Sequence, residues 1–123
     1  MRMILSAAIL LSMVGVAAAA NPGMIGETSK GKTLTDAKGM TLYVFDKDAT
    51  DKSNCNGPCA ILWPVLMADA DDKPTMNWTI VTRDDGSKQW AYKTKPVYTY
   101  SKDTNASDVT GDGFNGVWHI ATP

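Results

Sequence analysis

Short runs in which apolar and polar residues alternate follow one another along most of the chain. In the clearest case, aromatic and β-branched residues alternate along residues 78–83 and again along residues 88–93, on either side of Asp84-Asp85-Gly86-Ser87. Alternation with a period of two places successive side chains on opposite faces of a strand. Asp-Gly supplies the positive φ that a tight turn needs, so this region is predicted to form a β-hairpin.

Other alternating runs predict further strands at residues 40–45, 97–100 and 117–121, with a weaker candidate at residues 32–35. In the first of these, Leu42 faces one side of the strand, whereas Tyr43 and Phe45 face the other. Residues 105–116 are rich in Asp, Asn and Gly and predict a long surface loop.

One short helical turn is predicted near residues 58–63, because Pro58 suits the first turn of a helix and Pro64 ends it. No long run has the helical period. The predicted fold is therefore all-β: a small single domain that forms a sandwich or a partly open barrel.

The same pattern occurs twice, 55 residues apart. Residues 41–48 (TLYVFDKD) recur as residues 96–103 (PVYTYSKD), and Trp63 keeps the same offset to Trp118. A conserved offset over several residue types indicates a duplicated structural unit.

The repeated residues have a structural interpretation. The strand period puts the two aromatic residues of each motif on one face, and the tryptophans are expected to cover that face. Each motif ends in an aspartate, expected to accept backbone N–H groups in a turn with Thr50 or Asn105 as partner. The residues predicted to have this structural role are Tyr43, Phe45, Asp48, Trp63, Tyr98, Tyr100, Asp103 and Trp118.

Residues 1–20 have the pattern of a secretory signal peptide, with Arg2, an apolar stretch and Ala18-Ala19-Ala20 before the predicted cleavage site. Residues 21–30 are predicted to be a flexible arm. Residues 31–123 are predicted to form one β-rich domain, with its repeats around residues 40–66 and 95–121. We expect a protein of the periplasm or the exterior, without stable membrane insertion after cleavage.

Without the leader, 11 basic and 13 acidic side chains give a formal net charge of −2. These charges are scattered along the chain, so neither nucleic acid nor an anionic membrane is an expected partner.

The chain has two cysteines, Cys55 and Cys59, separated by Asn56-Gly57-Pro58. An oxidising compartment and an even number of cysteines predict a disulfide between them. Their spacing differs by one residue from the Cys-Gly-Pro-Cys of thioredoxin-like proteins, and no βαβ pattern surrounds them. Reduced, they would join His119, the single histidine, as three zinc or copper ligands, but export disfavours that state.

Taken together, these motifs resemble the secreted-repeat family of predicted bacterial lipoproteins with a Y-x-(F/W/Y)-x-x-D motif. The resemblance rests on residues 43–48 and 98–103, and extends to residues 55–64, to Asp85-Gly86 with Gln89-Trp90, and to residues 111–118. It implies an exported bacterial protein whose function is not established. The lipoproteins of that family attach a lipid to a cysteine at the cleavage site. This chain has no cysteine near that position, so a lipid anchor is not expected.

Two functional hypotheses follow. The first is a non-enzymatic binding or interaction module without a cofactor, using exposed aromatic residues or the Asp/Gly loop as its contact surface. The second is a periplasmic redox or metal-handling protein using Cys55, Cys59 and His119. Two acidic groups are considered as calcium sites, but neither has the ligand spacing of an EF-hand: Asp108, Asp112 and Asn115, and Asp46, Asp48 and Asp51. An enzyme would require a cleft that brings His119 against a carboxylate.

Overall fold

The computed structural model describes residues 21–123. The predicted signal peptide lies outside these residues. Within them, no helix is long and apolar enough to cross a membrane.

The regular elements of the described chain are mainly short strands, which form three antiparallel sheets. The elements are β1 (Met24–Thr28), β2 (Gly31–Thr35), β3 (Tyr43–Phe45), α1 (Pro58–Leu62), β4 (Trp78–Thr82), β5 (Lys88–Tyr92), β6 (Lys95–Pro96), a 3-10 helix (Phe114–Gly116) and β7 (Trp118–Ile120). One sheet pairs β1 with β2, a second pairs β3 with β7, and the third has the order β4-β5-β6. The all-β class, the two repeated units and the short helical turn are thereby confirmed.

The two repeats are related by a pseudo-two-fold axis that passes between Tyr43 and Tyr98. The N–H of Tyr43 donates to the carbonyl of Tyr98 at 2.7 Å, and the reverse bond measures 3.0 Å. Asp46 N–H donates to Val117 O at 2.8 Å, and the equivalent bond of the other repeat joins Ser101 to Leu62 at 2.9 Å. Each repeat is thus completed by backbone from the other, which explains why the duplication forms one domain.

Two apolar clusters lie on opposite sides of this central backbone. Leu42 and Val97 belong to a cluster with the hairpin tryptophans Trp78 and Trp90. The next residues along the chain, Tyr43 and Tyr98, belong to the other cluster. Period-two alternation therefore separates neighbouring side chains into two cores, as the sequence predicts for Leu42 and Tyr43.

The first hairpin corrects the expectation of a flexible arm at residues 21–30. Residues 24–28 form β1, and all five pair with β2 from Met24↔Thr35 to Thr28↔Gly31. The hydrogen bonds to β2 hold this segment in place, although its Gly- and Ser-containing composition had suggested that it would be mobile. The structural repeat consequently begins before residue 40 and includes a hairpin in each half.

One further prediction is corrected near the second motif, and another is refined. Residues 97–100 do not form a continuous strand, because Tyr98 makes isolated bridges to both Tyr43 and Val65. The loop at residues 105–116 contains the 3-10 helix and a buried glycine, Gly111. A Cβ on Gly111 would lie 2.7 Å from the Trp63 ring, so the close approach of this loop to the core requires glycine.

Candidate functional site

The aromatic residues of the repeats form one stack through the core. Trp63 and Trp118 lie face to face with their ring centroids 3.9 Å apart and their planes 4° apart. Phe45 stacks on the outer face of Trp118 at 4.3 Å, and Tyr100 stacks on that of Trp63 at 4.2 Å. Both tryptophans are buried. These rings are packed against one another and do not form an exposed aromatic surface, which was one of the two contact surfaces considered for a binding module.

The two motif tyrosines each donate a hydrogen bond to the aspartate of the opposite repeat. Tyr43 Oη donates to Asp103 Oδ2 and Tyr98 Oη to Asp48 Oδ2, both at 2.6 Å. Burial, together with the adjacent carboxylate, raises the pKa of both phenols far above the ordinary value. Burial also raises the pKa of Asp48, against the opposing effect of its hydrogen bonds. These pairs cross-link the repeats.

The second oxygen of each aspartate organises its own loop. Asp48 Oδ1 accepts the N–H of Asn54 at 2.7 Å, and Asp103 Oδ1 accepts the N–H of Thr110 at 3.1 Å. The predicted backbone contacts of the aspartates are present, but the predicted partners Thr50 and Asn105 are wrong. The loops fold back over six or seven residues, further than an Asx-turn reaches.

Arg83 is a buried cation that sequence reasoning missed. Its Nη1 donates to Ser53 Oγ at 2.9 Å and to Gln89 Oε1 at 2.8 Å, and its Nη2 donates to the carbonyl of Cys55 at 2.6 Å. Ser53 Oγ lies 2.7 Å from Tyr98 Oη, which connects the guanidinium to Asp48. An arginine after a hairpin strand is usually exposed, so its burial depends on the neighbouring loop.

Cys55 and Cys59 form the predicted disulfide, with their sulfurs 2.05 Å apart. His119 lies elsewhere, with Nε2 at 2.8 Å from Asp46 Oδ2. Among residues 21–123, no group of three or more His, Cys, Asp and Glu side chains is arranged to hold a metal ion. The described structure therefore does not assemble the ligand set Cys55, Cys59 and His119.

The carboxylates of the Asp/Gly loop bind the protein itself. Asp108 accepts the N–H groups of Asn105 and Thr104, at 2.9 and 3.0 Å, and these bonds lower its pKa. Asp112 accepts the N–H of Ile120 at 3.0 Å and pairs with Lys30. Because both carboxylates have hydrogen-bond partners within the protein, the fold of the chain itself accounts for their positions.

Comparing the two halves shows which residues occur at equivalent positions in both and which occur in only one. The tyrosines, aspartates and tryptophans of the motifs occur in both halves. Asp46 and His119 do not, because the positions equivalent to them are Ser101 and Pro64. The backbone of these positions is equivalent, so the fold does not require an Asp–His pair. The pair therefore marks a candidate functional site.

Asp46 and His119 border a cleft between the β3–β7 sheet and the turn that joins β5 to β6. The wider part of this cleft has a volume of about 360 Å³. A smaller cavity of about 200 Å³ adjoins it, with Val44, Asp46 and Lys95 common to both. We call the two together the His119 cleft; its other lining residues include Phe45, Asp48, Thr50, Tyr92, Lys93, Thr94, Pro96 and Ile120.

The cationic side of the His119 cleft is a strained turn. Lys93 and Thr94 have φ values of 48° and 71°, in the left-handed region that favours glycine and asparagine. Thr94 O accepts the N–H of Asp51 at 2.8 Å, and Lys93 N–H donates to Asn77 O at 2.8 Å. Surrounding hydrogen bonds thus hold two unfavourable conformations at the rim.

Comparison with known proteins agrees with this internal repeat. No curated protein and no solved structure matches the chain significantly. The sequence model of a family described as "secreted repeat of unknown function" matches residues 24–67 and again residues 79–122. The two matches keep the 55-residue offset and include the hairpin of each half. The chain therefore belongs to this family of secreted repeats.

Proposed function

We propose that this is an exported, non-enzymatic binding protein of the periplasm or the exterior, and that it holds a small organic anion in the His119 cleft. The observation that carries the proposal is the Asp46–His119 pair, 2.8 Å apart, which the repeat architecture does not require. Function resides in particular sites and not in the fold that carries them. Residues that occur in only one half of a duplicated fold are therefore candidates for a ligand site.

The composition of the cleft supports an amphipathic ligand. Val44, Ile120 and Pro96 give it apolar surface, while Lys93 and Lys95 supply two cations opposite the carboxylates of Asp46 and Asp48. Concave sites in which apolar walls are combined with a few polar groups are typical of small-molecule binding. Lys93, Lys95 and His119 all line the wider part of the cleft, so a bound carboxylate or phosphate has two lysines available as ionic partners.

The surroundings of His119 favour binding over catalysis. Its side chain and that of Asp46 are 44% and 52% exposed, so the pair is well hydrated. The cleft is lined by threonine hydroxyls, but by no serine or cysteine among the described residues. An exposed Asp–His pair without an adjacent nucleophile orients a ligand more readily than it activates one.

Hexanoate tests the proposal, with hexanamide as an uncharged ligand of the same shape. In ¹⁵N–¹H correlation spectra of the purified exported protein, hexanoate should shift the amide signals of Val44, Lys93 and His119. Hexanamide should bind about five-fold more weakly, since a partly exposed charge pair contributes about 1 kcal/mol.

Lys95→Gln should weaken hexanoate binding by about five-fold, while leaving the affinity for hexanamide unchanged. Lys102→Gln, at an exposed position that does not line the cleft, is the matched control. Equal affinities for the two ligands, or shifts confined to other parts of the protein, would contradict the proposal.

A further inference from the structure

The outer edge of β1 lacks backbone partners within residues 21–123. β1 belongs to a two-stranded sheet, and no backbone hydrogen bond outside its ladder with β2 involves residues 23–27. Leu34 N–H donates to Ala121 O at 2.8 Å, and Leu34 O accepts from Leu42 N–H at 2.9 Å, so both groups point away from β1. In an antiparallel ladder, two residues that lie opposite each other either both direct their N–H and C=O groups towards the partner strand or both direct them away from it. Ile25, opposite Leu34, therefore directs its N–H and C=O towards the free edge.

Large apolar side chains surround this free edge. Met24, Ile25 and Met76 are 57%, 60% and 90% exposed, and all three border a groove of about 380 Å³ against Trp78. We call these three residues the Ile25 patch. They are three of the five large hydrophobic residues that the described chain exposes. Their concentration beside an open strand edge is unusual, because such edges promote association and are normally protected.

The backbone of Met76 adds a second, independent observation. Met76 has a φ of 55° in a four-residue turn closed by the bond from Trp78 N–H to Thr75 O, at 2.8 Å. Glycine is favoured at such a position, since it avoids the steric cost of a side chain. Neither burial nor backbone conformation accounts for methionine here. A contact outside the described chain would account for it.

We infer that the Ile25 patch binds a second copy of this chain, through antiparallel pairing of β1 with β1. The two-fold axis passes through the pair formed by Ile25 of each copy, and Gly23 of one copy lies opposite Glu27 of the other. In this register the outward backbone groups of both strands meet, since Ile25 and Glu27 share one orientation in β1. The interface is isologous, as in most homodimers.

The position of the patch favours a second copy over an unrelated strand. Met24 and Met76 border the same groove as Ile25, the residue on the axis, so each copy covers the patch of the other with its own. Six large, mostly exposed side chains and two strand edges would together bury close to about 1,200 Å² of accessible surface, which is the lower end of the range for specific interfaces. A weak, concentration-dependent dimer is therefore expected.

Sedimentation equilibrium of the purified exported protein tests this inference. The protein should form a dimer at high micromolar concentrations, and the amides of Ile25 and Glu27 should exchange more slowly with solvent as dimer forms. Ile25→Pro removes an N–H that the β1–β2 ladder does not use, so the monomer should remain folded. This variant should weaken dimerisation at least ten-fold.

Met76→Gly should act in opposite directions on folding and association. It relieves the positive φ, so the monomer should resist urea better, while the loss of apolar contact should weaken the dimer several-fold. Ile61→Ala, at a residue 76% exposed on α1, is the control and should leave the dimer unchanged. A protein that stays monomeric at millimolar concentration, or a dimer that is insensitive to both β1 and Met76 changes, would overturn the inference.

Discussion

Tyr43 and Tyr98 lie opposite each other across the pseudo-two-fold axis, and each donates its phenolic hydrogen to the aspartate of the opposite repeat at 2.6 Å. Their backbones also exchange hydrogen bonds, at 2.7 and 3.0 Å. The repeated motif therefore joins the two halves of the domain, and these contacts make the stability of one half depend on the other.

Removing one phenolic hydroxyl should destabilise the whole domain. Tyr98→Phe leaves Asp48 and Ser53 without a shared partner in a buried region, so the free energy of unfolding should fall by about 2 kcal/mol. Urea denaturation followed by tryptophan fluorescence measures this change. Tyr92→Phe is the control, because the Tyr92 hydroxyl makes no hydrogen bond within residues 21–123, and it should change stability by less than about 0.5 kcal/mol. Equal effects of the two substitutions would contradict the assigned role.

The buried guanidinium of Arg83 should be among the most sensitive positions. Arg83→Ala leaves Ser53, Gln89 and the Cys55 carbonyl without their donor, and we expect a loss of about 3 kcal/mol in the free energy of unfolding. Lys88→Ala, at an exposed residue of the same hairpin, should have little effect. Arg83→Lys should recover part of the loss, because an ammonium group cannot reach all three acceptors. Full recovery by lysine would show that charge alone matters.

Alkaline pH should unfold the protein through Tyr43 and Tyr98. The folded pKa of both phenols is raised by burial, whereas the unfolded chain loses these protons near pH 10. Their stabilising contribution is therefore complete below about pH 10 and is lost above it, at about 1.4 kcal/mol per pH unit for each tyrosine. Urea midpoints measured from pH 8 to pH 11 check this slope. The Tyr43→Phe/Tyr98→Phe protein, though less stable, should show a shallower slope; an unchanged slope would refute the explanation.

Replacing the strained turn at the His119 cleft should stabilise the fold. Lys93→Asn/Thr94→Gly places residues that tolerate positive φ where lysine and threonine now have 48° and 71°. The free energy of unfolding should rise by about 1–2 kcal/mol. Under the proposed function, hexanoate binding should weaken at the same time because a cation is lost. A loss of stability would show that neighbouring contacts, and not φ, dominate at this turn.

Loss of the disulfide should weaken the fold without abolishing it. Cys55→Ala/Cys59→Ala removes the restraint on a five-residue loop, which corresponds to about 2 kcal/mol on the chain-entropy estimate. Thermal unfolding of this variant and of the oxidised protein provides the measurement. Addition of reductant should lower the midpoint of the oxidised protein alone; a similar decrease in the variant would point to another cause.

Local patterns in the sequence were sufficient for the elements with a strong local signal. Asp-Gly between two alternating runs predicted the hairpin of β4 and β5, and Pro58 with Pro64 predicted the limits of α1. The weaker elements depended on distant partners. Met24–Thr28 becomes a strand because β2 supplies its ladder, and Tyr98 is restricted to bridges because Tyr43 and Val65 lie on both sides of it.

The duplication, the all-β class and the disulfide could be predicted because the alternation of side chains, the constant 55-residue offset and the single pair of cysteines are visible in the order of residues. Three contacts could not be predicted from that order: the hydrogen bond of each tyrosine to the aspartate of the opposite repeat, the burial of Arg83, and the pairing of His119 with Asp46, 73 residues away. These contacts join residues far apart in the chain. These contacts form because the backbones of the two repeats pair across the pseudo-two-fold axis. A short stretch of sequence does not indicate which distant residue will lie opposite it.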